Sequence, residues 1–303
     1  MPRLRLAWLA LAASAGPALA HGGAHPLPQD PPGWTWDPAI TLPLLLSAGL
    51  YLAGAVRLFG RARRGRRRLS GRIALFACGW LLLAVATVSP LHEAGERSFT
   101  LHMIEHEIIM LPAALLLATS SPIATMLWAL PRALRSALAG AGRSPWIAAP
   151  WRFLTDPVVA TLMQGAAMVV WHVPALFDRA LGHAGWHIAQ HLSFLLTALL
   201  FWWSMTRPRN RGAAAVCLFL TSLLGGALGA LMALSSSPWY AGYAAMGMAP
   251  FGLTPTEDQA FAGLVMWVPG GLVHAGAALL LIGRYVVGAR AAPLPLPRNV
   301  PAH

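Results

Sequence analysis

Seven apolar stretches, each long enough to cross a bilayer, constrain what this sequence can fold into. Of its 303 residues, 57% are hydrophobic and 11% are charged, a composition typical of polytopic membrane proteins. About 20 apolar residues span the hydrocarbon core, and continuous runs predict helices because backbone groups in lipid must bond internally. We therefore predict an all-α, polytopic membrane helix bundle with seven transmembrane helices near residues 39–60, 71–89, 99–119, 155–175, 185–205, 213–234 and 260–283.

The arginines predict the orientation of these helices. The sequence has no lysine, and 17 arginines follow the first, third, fifth and seventh helices, against two in the other loops. Because basic loops stay in the cytoplasm, we expect the mature N-terminus outside and the C-terminus inside. Basic segments placed between apolar runs indicate the lipid bilayer as a partner and argue against nucleic acid, despite the net charge of +12.

The N-terminus has the features of a cleavable secretory signal. A basic start and an apolar centre precede Ala18-Leu19-Ala20, which matches an A-x-A cleavage site. Cleavage would expose the amino group of His21, which together with His25 could chelate copper. The predicted organisation is a signal peptide (1–20), a proline-rich periplasmic segment (21–38), a seven-helix membrane domain (39–285) and a cytoplasmic tail (286–303).

Two pairs of histidines, each with a spacing of four residues, lie just inside the third and fifth predicted helices. A rise of about 1.5 Å per residue places His102 and His106 about 5 and 10 Å below the outer membrane boundary. The same rise places His187 and His191 about 3 and 9 Å below it. Residues four apart share a helix face, so each pair can converge on one point. Imidazoles at one depth in hydrocarbon predict a metal or haem site, with His172 in the same layer.

Other polar residues near these pairs carry weaker expectations. His92 and His183 fall in outer loops, where hydrogen bonding in the headgroup region is the simpler interpretation. Glu105 and Glu107 adjoin His106 in sequence, but adjacent positions lie on different faces of a helix.

His274 differs from the other histidines because it lies about 21 Å into the seventh helix. The sequence Pro269-Gly270-Gly271 before it could break that helix. A second site, a relay and a packed polar residue remain three open interpretations of His274.

The neighbouring donor types favour Cu(I) as the metal. Met103 adds a thioether beside the first pair, and thioether with imidazole suits Cu(I) better than zinc. Asp258, just before the seventh helix, is a further candidate ligand or an orienter of histidine. One alternative is a b-type haem with axial histidines on the third and fifth helices. Another is a zinc hydrolase that uses Asp258 as its carboxylate, although the sequence has no H-E-x-x-H motif.

Three short motifs occur in order along the helices: His102-Met103-x-x-His106, Trp171-His172-x-Pro174 and Asp258-Gln259-x-x-x-Gly263. With the histidines that open the fifth helix, they resemble the CtaG family of cytochrome c oxidase assembly factors, the polytopic bacterial type associated with caa-type oxidases. The residues carried over by position are His102, Met103, His106, Trp171, His172, His191, Asp258 and Gln259.

The resemblance implies a non-catalytic, multi-pass protein of the bacterial inner membrane that matures haem-copper oxidase. It also implies that copper reaches cytochrome c oxidase subunit I, and a periplasmic copper chaperone is a plausible donor. A single shared site requires the third and fifth helices to be neighbours. The metal ligands that we predict are His102, His106, His172, His187, His191, Met103 and Asp258.

Overall fold

The computed structural model describes residues 30–62, 64–208 and 210–290. Within these residues the chain is helical, which confirms the all-α prediction, and β pairing is limited to an isolated bridge between Ala249 and Leu253. The seven long helices are α1 (Pro38–Arg61), α2 (Arg66–Val88), α3 (Phe99–Ser120), α4 (Pro157–Trp171), α5 (Ala184–Thr206), α6 (Arg211–Leu234) and α7 (Pro255–Arg290).

Six of these helices are long and apolar enough to cross a membrane on their own, and α4 is not. It has 15 residues and follows a separate helix, Pro145–Leu154, at a bend of 64°. The two helices together would make a seventh span, whereas the sequence predicts one run over 155–175. The bend has a local cause, because the Asp156 side chain caps α4 and Pro157, which has no N–H to donate, begins it.

The outward faces of the long helices are apolar. Leu52 of α1, Leu223 of α6 and Leu279 of α7 are among many exposed large hydrophobic side chains. Exposed apolar surface of this kind marks contact with a membrane or a partner, and six helices long and apolar enough to span a bilayer indicate the membrane. The fold is therefore that of a multi-pass membrane protein. The predicted signal peptide (1–20) and the His21–His25 chelate lie outside the described residues.

Three short helices cover the end of the bundle at which α3, α5 and α7 begin, and we call them the cap. The Tyr243 hydroxyl donates a hydrogen bond to the Gly95 carbonyl oxygen at 2.7 Å. The Asp178 carboxylate accepts the N–H of Gly242 at 3.0 Å. These contacts join the three pieces of the cap, which are Pro90–Gly95, Pro174–Gly182 and Ala241–Met246.

Asp258 fixes the start of α3. Its carboxylate accepts hydrogen bonds from Ser98 Oγ at 2.8 Å, from Phe99 N at 2.6 Å and from Thr100 N at 3.1 Å. The first N–H groups of a helix have no partner within the helix, and a carboxylate there is stabilising. This contact sets the height of α3 relative to α7, and therefore the height of the histidines on its first turns.

A π-helical turn, Ile109–Ala113, follows the first histidine pair within α3. Pro112 lies in this turn and has no N–H to donate, which disturbs the regular bonding of the helix. The Met110 carbonyl oxygen instead accepts a hydrogen bond from Trp202 Nε1 of α5 at 2.8 Å. The turn therefore ties α3 to α5 just beyond the histidines.

The helices α6 and α7 pack with their backbones in close contact. A side chain at Gly229 would collide with the Gly263 carbonyl oxygen, and one at Gly263 would collide with the Gly229 carbonyl oxygen. The glycine face of α6 thus packs within the chain. The helix α7 continues through Pro269, so the break allowed for by the Pro-Gly-Gly sequence does not occur.

Candidate metal centre

The helices α3 and α5 are neighbours, and their histidine pairs face each other. The ring centroids of His106 and His191 are 4.9 Å apart, and those of His102 and His187 are 5.3 Å apart. All four side chains are buried. The adjacency of α3 and α5 on which a single shared site depends is therefore present.

His92, which the sequence placed in a headgroup role, belongs to the same site. Its ring stacks on that of His187 with centroids 5.0 Å apart, and its Nδ1 lies 2.6 Å from Glu105 Oε1. The same carboxylate oxygen lies 3.4 Å from Nδ1 of His191. The expectation for His92 was wrong because the cap helix Pro90–Gly95 turns back onto α3 and buries the ring.

Glu105 is the second residue that the sequence reasoning assigned elsewhere. The reasoning compared its position with that of His106, from which it does differ by one helical step. However, Glu105 follows His102 by three positions, and residues three apart are neighbours on a helix surface. The order His102-x-x-Glu105-His106 also matches the H-x-x-E-H motif of one class of zinc enzymes. Either signal was sufficient to include Glu105.

Two overlapping sets of residues have the spacing to hold a metal ion, and in each set the ligand atoms lie within 4.8 Å of one another. His191 belongs to both sets. The first set is His92, Glu105, His187 and His191, and the second is His102, His106 and His191. We call these six residues together the histidine cluster.

Most nitrogen atoms that face the inside of the cluster have no hydrogen-bond partner. Both ring nitrogens of His106 and Nε2 of His102, His187 and His191 are buried and unpaired. An unpaired buried polar group costs about 1–3 kcal/mol, and such groups are uncommon in native structures. A cation bound by these lone pairs would remove that cost, so the residues present fit a metal ion.

Hydrogen bonds orient two of the cluster histidines. The proton of the Tyr243 hydroxyl is donated to the Gly95 carbonyl oxygen, and the same hydroxyl lies 3.1 Å from Nδ1 of His102. Nδ1 of His102 is therefore the donor in that contact, which leaves Nε2 with its lone pair. Nδ1 of His92 is paired with Glu105 in the same manner. Metal-binding histidines commonly use their second nitrogen in this way.

The pair formed by His92 and Glu105 stabilises positive charge at the edge of the cluster. Burial lowers the pKa of His92, but the hydrogen bond to Glu105 and its negative charge outweigh burial, so the pKa lies above its ordinary value. The same field that favours the protonated ring favours a bound cation.

His172, one of the predicted ligands, lies beside the cluster and in neither ligand set. Nδ1 of His172 lies 2.7 Å from the Met168 carbonyl oxygen, and its buried Nε2 is unpaired. The ring of Phe194 contacts the rings of both His172 and His106, so an aromatic side chain separates His172 from the cluster. Met103 packs in the apolar core beneath the cap.

The family motif residues at the start of α7 and the end of α4 hold helices together. Asp258 belongs to neither ligand set because its carboxylate is engaged at the start of α3. Gln259 accepts the N–H of Trp239 at 2.6 Å, and Trp171 Nε1 donates to Ser193 Oγ at 2.6 Å. Asp258 therefore caps the start of α3, whereas the sequence predicted it as a metal ligand.

A second polar region lies midway along the bundle. Nδ1 of His274 bonds to the Gly270 carbonyl oxygen at 2.7 Å, and its ring stacks on Trp202 with centroids 5.5 Å apart. With Glu107 and Gln164 it lines a cavity of about 20 Å³, enough for about one water molecule. We call it the midbundle cavity. These contacts favour the interpretation of His274 as a packed polar residue.

A large cavity of about 1310 Å³ opens beside the histidine cluster. His92, His187 and His191 line it, whereas His102 and His106 are not among its lining residues. Away from the cluster it runs between apolar side chains of α1, α2 and α5. Its polar end, which we call the mouth, is lined by Asp37, Glu93, Glu96, Arg97 and Asp178.

Residues 49–286 match the family described as cytochrome c oxidase caa3 assembly factor (Caa3_CtaG). The matched range extends from α1 into α7 and contains all six residues of the histidine cluster. It also contains the cap and the midbundle cavity.

Among curated proteins, the chain is similar to an uncharacterized protein of Mycobacterium leprae, with 27% identity over 182 residues. A second uncharacterized protein, from Mycobacterium bovis, is 26% identical over 183 residues. Each alignment covers 57% of this chain and 26% of the relative, so the chain spans about a quarter of the length of the curated relatives it matches. No solved structure matches the chain.

Proposed function

This chain belongs to the family of cytochrome c oxidase caa3 assembly factors, and we propose that it holds copper in the histidine cluster while a haem-copper oxidase is assembled. The observation that carries the proposal is the convergence of five buried imidazoles and one carboxylate whose facing nitrogens are largely unpaired. In this proposal copper is cargo that the chain receives and passes on, and the chain is not an enzyme.

The donor set supports copper. Imidazole binds copper well, and a set of neutral imidazoles with one carboxylate adds a single negative charge to the site. Zinc uses the same donors, so the choice rests on the family role, because the oxidase to be assembled contains copper. Met103, which suggested Cu(I) from sequence, lies outside the set, and the proposal depends on the histidines alone.

The direction of transfer follows from the arginine distribution. The loops that carry arginine lie at the end of the bundle opposite the cap, and basic loops face the cytoplasm. The cluster then lies near the periplasmic surface, within reach of a periplasmic copper chaperone without transfer across the bilayer. The receiver in this proposal is cytochrome c oxidase subunit I.

Each residue has a definable part in holding the ion. The unpaired nitrogens of His102 and His106 supply lone pairs in a fully buried position. Tyr243 keeps the ring of His102 in one orientation, which strengthens binding. Glu105 offsets the positive charge of the ion, and His102 and His106 are buried.

The test is a complementation experiment in cells that need this chain for oxidase assembly. We expect His102→Ala with His106→Ala to abolish oxidase activity and the copper content of the oxidase, while the level of the assembly factor in the membrane stays normal. The purified wild-type chain should keep bound copper, measured by elemental analysis after treatment with excess chelator, and the double variant should not.

His274→Gln is the matched control, since it changes a buried histidine of the same bundle that lies in neither ligand set. It should leave oxidase activity and copper uptake at the wild-type level. Normal oxidase activity in the double variant at a normal protein level would refute the proposal.

A visible spectrum tests the haem alternative. A haem between axial histidines requires the porphyrin to lie between the two rings, whereas rings of α3 and α5 contact each other directly. We therefore expect no Soret band in the purified chain. A Soret band of one haem per chain would show that the site binds haem and would refute the copper proposal.

A zinc hydrolase is the second candidate function, favoured by the H-x-x-E-H order and the burial of Glu105 beside the histidines. Such an enzyme uses its carboxylate to activate a metal-bound water. Tight zinc binding without copper uptake, together with hydrolysis of an amide-containing lipid, would support it.

A further inference from the structure

We propose that the histidine cluster contains two successive copper positions, one open to the large cavity and one enclosed, that share His191. The proposal rests on the function proposed above and adds a direction of movement within the site. We call the set His92, Glu105, His187 and His191 the open position, and the set His102, His106 and His191 the enclosed position.

The two positions differ in their access to the cavity. His92, His187 and His191 line the cavity beside the mouth. His102 and His106 are each 1% exposed and do not line the cavity. An ion from outside therefore meets the open position first, and it reaches the enclosed position through a residue that belongs to both.

His191 has the geometry to serve both positions. Its Nδ1 lies 3.4 Å from Glu105 Oε1, on the side of the open position. Its Nε2 is buried and unpaired, and its ring lies 4.9 Å from the ring of His106 and 5.9 Å from that of His102. The ring of His191 thus lies between the two sets. A neutral imidazole has one lone pair at a time, so when copper moves to Nε2 the ring proton moves to Nδ1, which lies 3.4 Å from the acceptor oxygen Glu105 Oε1.

The mouth favours the arrival of a cation. Four carboxylates and one arginine are among the residues that line the cavity there. These carboxylates have structural partners of their own; for example, Asp178 accepts the N–H of Gly242. They do not form a site, but because carboxylates outnumber arginine at the mouth, the net negative charge there attracts cations.

The two positions have different ligands, and the difference favours movement of copper from the open to the enclosed position. The open position includes the carboxylate of Glu105, a ligand type that also binds hydrated and harder cations. The enclosed position offers imidazole nitrogens alone, which retain copper and reject ions that prefer oxygen. Copper therefore exchanges at the first position and is retained at the second.

The experiment separates the rate of loading from the rate of loss in the purified full-length chain. Cu(I) is supplied as its bicinchoninate complex, and loss is followed after adding excess chelator. The variant with His92→Ala and His187→Ala removes the open position, and the variant with His102→Ala and His106→Ala removes the enclosed one.

We expect the first variant to bind copper with loading and loss both slowed about tenfold or more, because copper enters and leaves the enclosed position through the open one. We expect the second variant to load at the wild-type rate and to lose copper at least about tenfold faster. His274→Gln should match the wild type in both rates. The single variants His92→Ala and His102→Ala provide the same contrast if a double variant does not fold.

Equal effects of the two variants on both rates, or complete loss of binding in the first variant, would show a single site and overturn the proposal. Failure of the wild-type chain to bind copper would instead contradict the proposed function itself. The two failures are thus distinguishable in one set of measurements.

Discussion

Buried histidines occur in two regions of this bundle, the histidine cluster beneath the cap and the midbundle cavity, and their hydrogen bonding differs. In the cluster, several ring nitrogens from α3 and α5 face one another with no partner. In the midbundle cavity, Nδ1 of His274 is bonded to the Gly270 carbonyl oxygen and its ring is stacked on Trp202. The same residue type is thus satisfied in one region and left unsatisfied in the other.

The comparison shows that burial alone does not identify a ligand. A polar group in lipid is costly wherever it lies, and the cost at His274 is offset by a backbone hydrogen bond within its own helix. In the cluster, both ring nitrogens of His106 and Nε2 of His102, His187 and His191 have no partner among the described residues, and a bound ion would offset their cost. The glutamates of α3 do not follow this contrast, because Glu105 Oε1 contacts two histidines whereas Glu107 Oε2, beside the midbundle cavity, is buried without a partner.

The largest effect that would sharpen this comparison is expected from His191→Ala. This residue belongs to both ligand sets, so its loss removes a ligand from each. Losing a hydrogen-bond partner of a ligand typically lowers metal affinity by about 10–100-fold, and losing a ligand should lower it by more than about 100-fold. Competition with a Cu(I) chelator measures the affinity. A value within a few-fold of the wild type would place the ion elsewhere.

Glu105→Gln and Glu107→Gln form a matched pair, two residues apart and on different faces of one helix. Each variant removes one carboxylate charge and keeps the size of the side chain. We expect copper loading to slow about tenfold in Glu105→Gln, because the charge that attracts the ion is lost, and to be unchanged in Glu107→Gln. Stopped-flow loading from a chelator complex gives both rates. Equal slowing of copper loading in the two variants would show that Glu105 has no special role at the histidine cluster.

A smaller effect is expected from Tyr243→Phe, which keeps the ring and removes the hydroxyl that contacts Nδ1 of His102. We expect about a tenfold loss of copper affinity, at the low end for such partners, because the imidazole loses its fixed orientation. Tyr240→Phe is the control, since the Tyr240 hydroxyl bonds to the His172 carbonyl oxygen and not to a cluster residue. If the two variants lower affinity alike, the hydroxyl of Tyr243 does not act through His102.

The membrane fold could be predicted from sequence where a helix is a single apolar run. Six predicted runs correspond to the six helices that are long and apolar enough to cross a membrane, with ends shifted by a few residues. The fourth predicted run missed the first half of its bent pair. That half, the helix Pro145–Leu154, contains two prolines and an arginine and has no apolar run of its own. Its partner α4 is short, and the bend between them depends on the Asp156-Pro157 step.

The site was predictable to the extent that it follows helical spacing. Spacing identified His102, His106, His187 and His191, which form the larger part of the cluster. Spacing could not identify His92. This residue reaches the cluster because a six-residue cap helix folds back onto α3, and helical periodicity does not predict such a contact. It also proposed Asp258 as a ligand, since the first turn of α7 gives no sign that it caps a different helix.

Asp258→Asn carries the smallest expected effect on copper and tests the last of these assignments. The variant keeps one acceptor oxygen and loses the charge that stabilises the start of α3, so we expect a loss of roughly 1 kcal/mol in stability, typical of a helix cap. Thermal unfolding of the detergent-solubilised chain measures this loss. Copper stoichiometry and affinity should remain at the wild-type level, because the histidine rings keep their positions once α3 is formed. A wild-type unfolding temperature combined with lost copper binding would restore Asp258 as a ligand, and it would extend the metal site from the α3–α5 interface to α7.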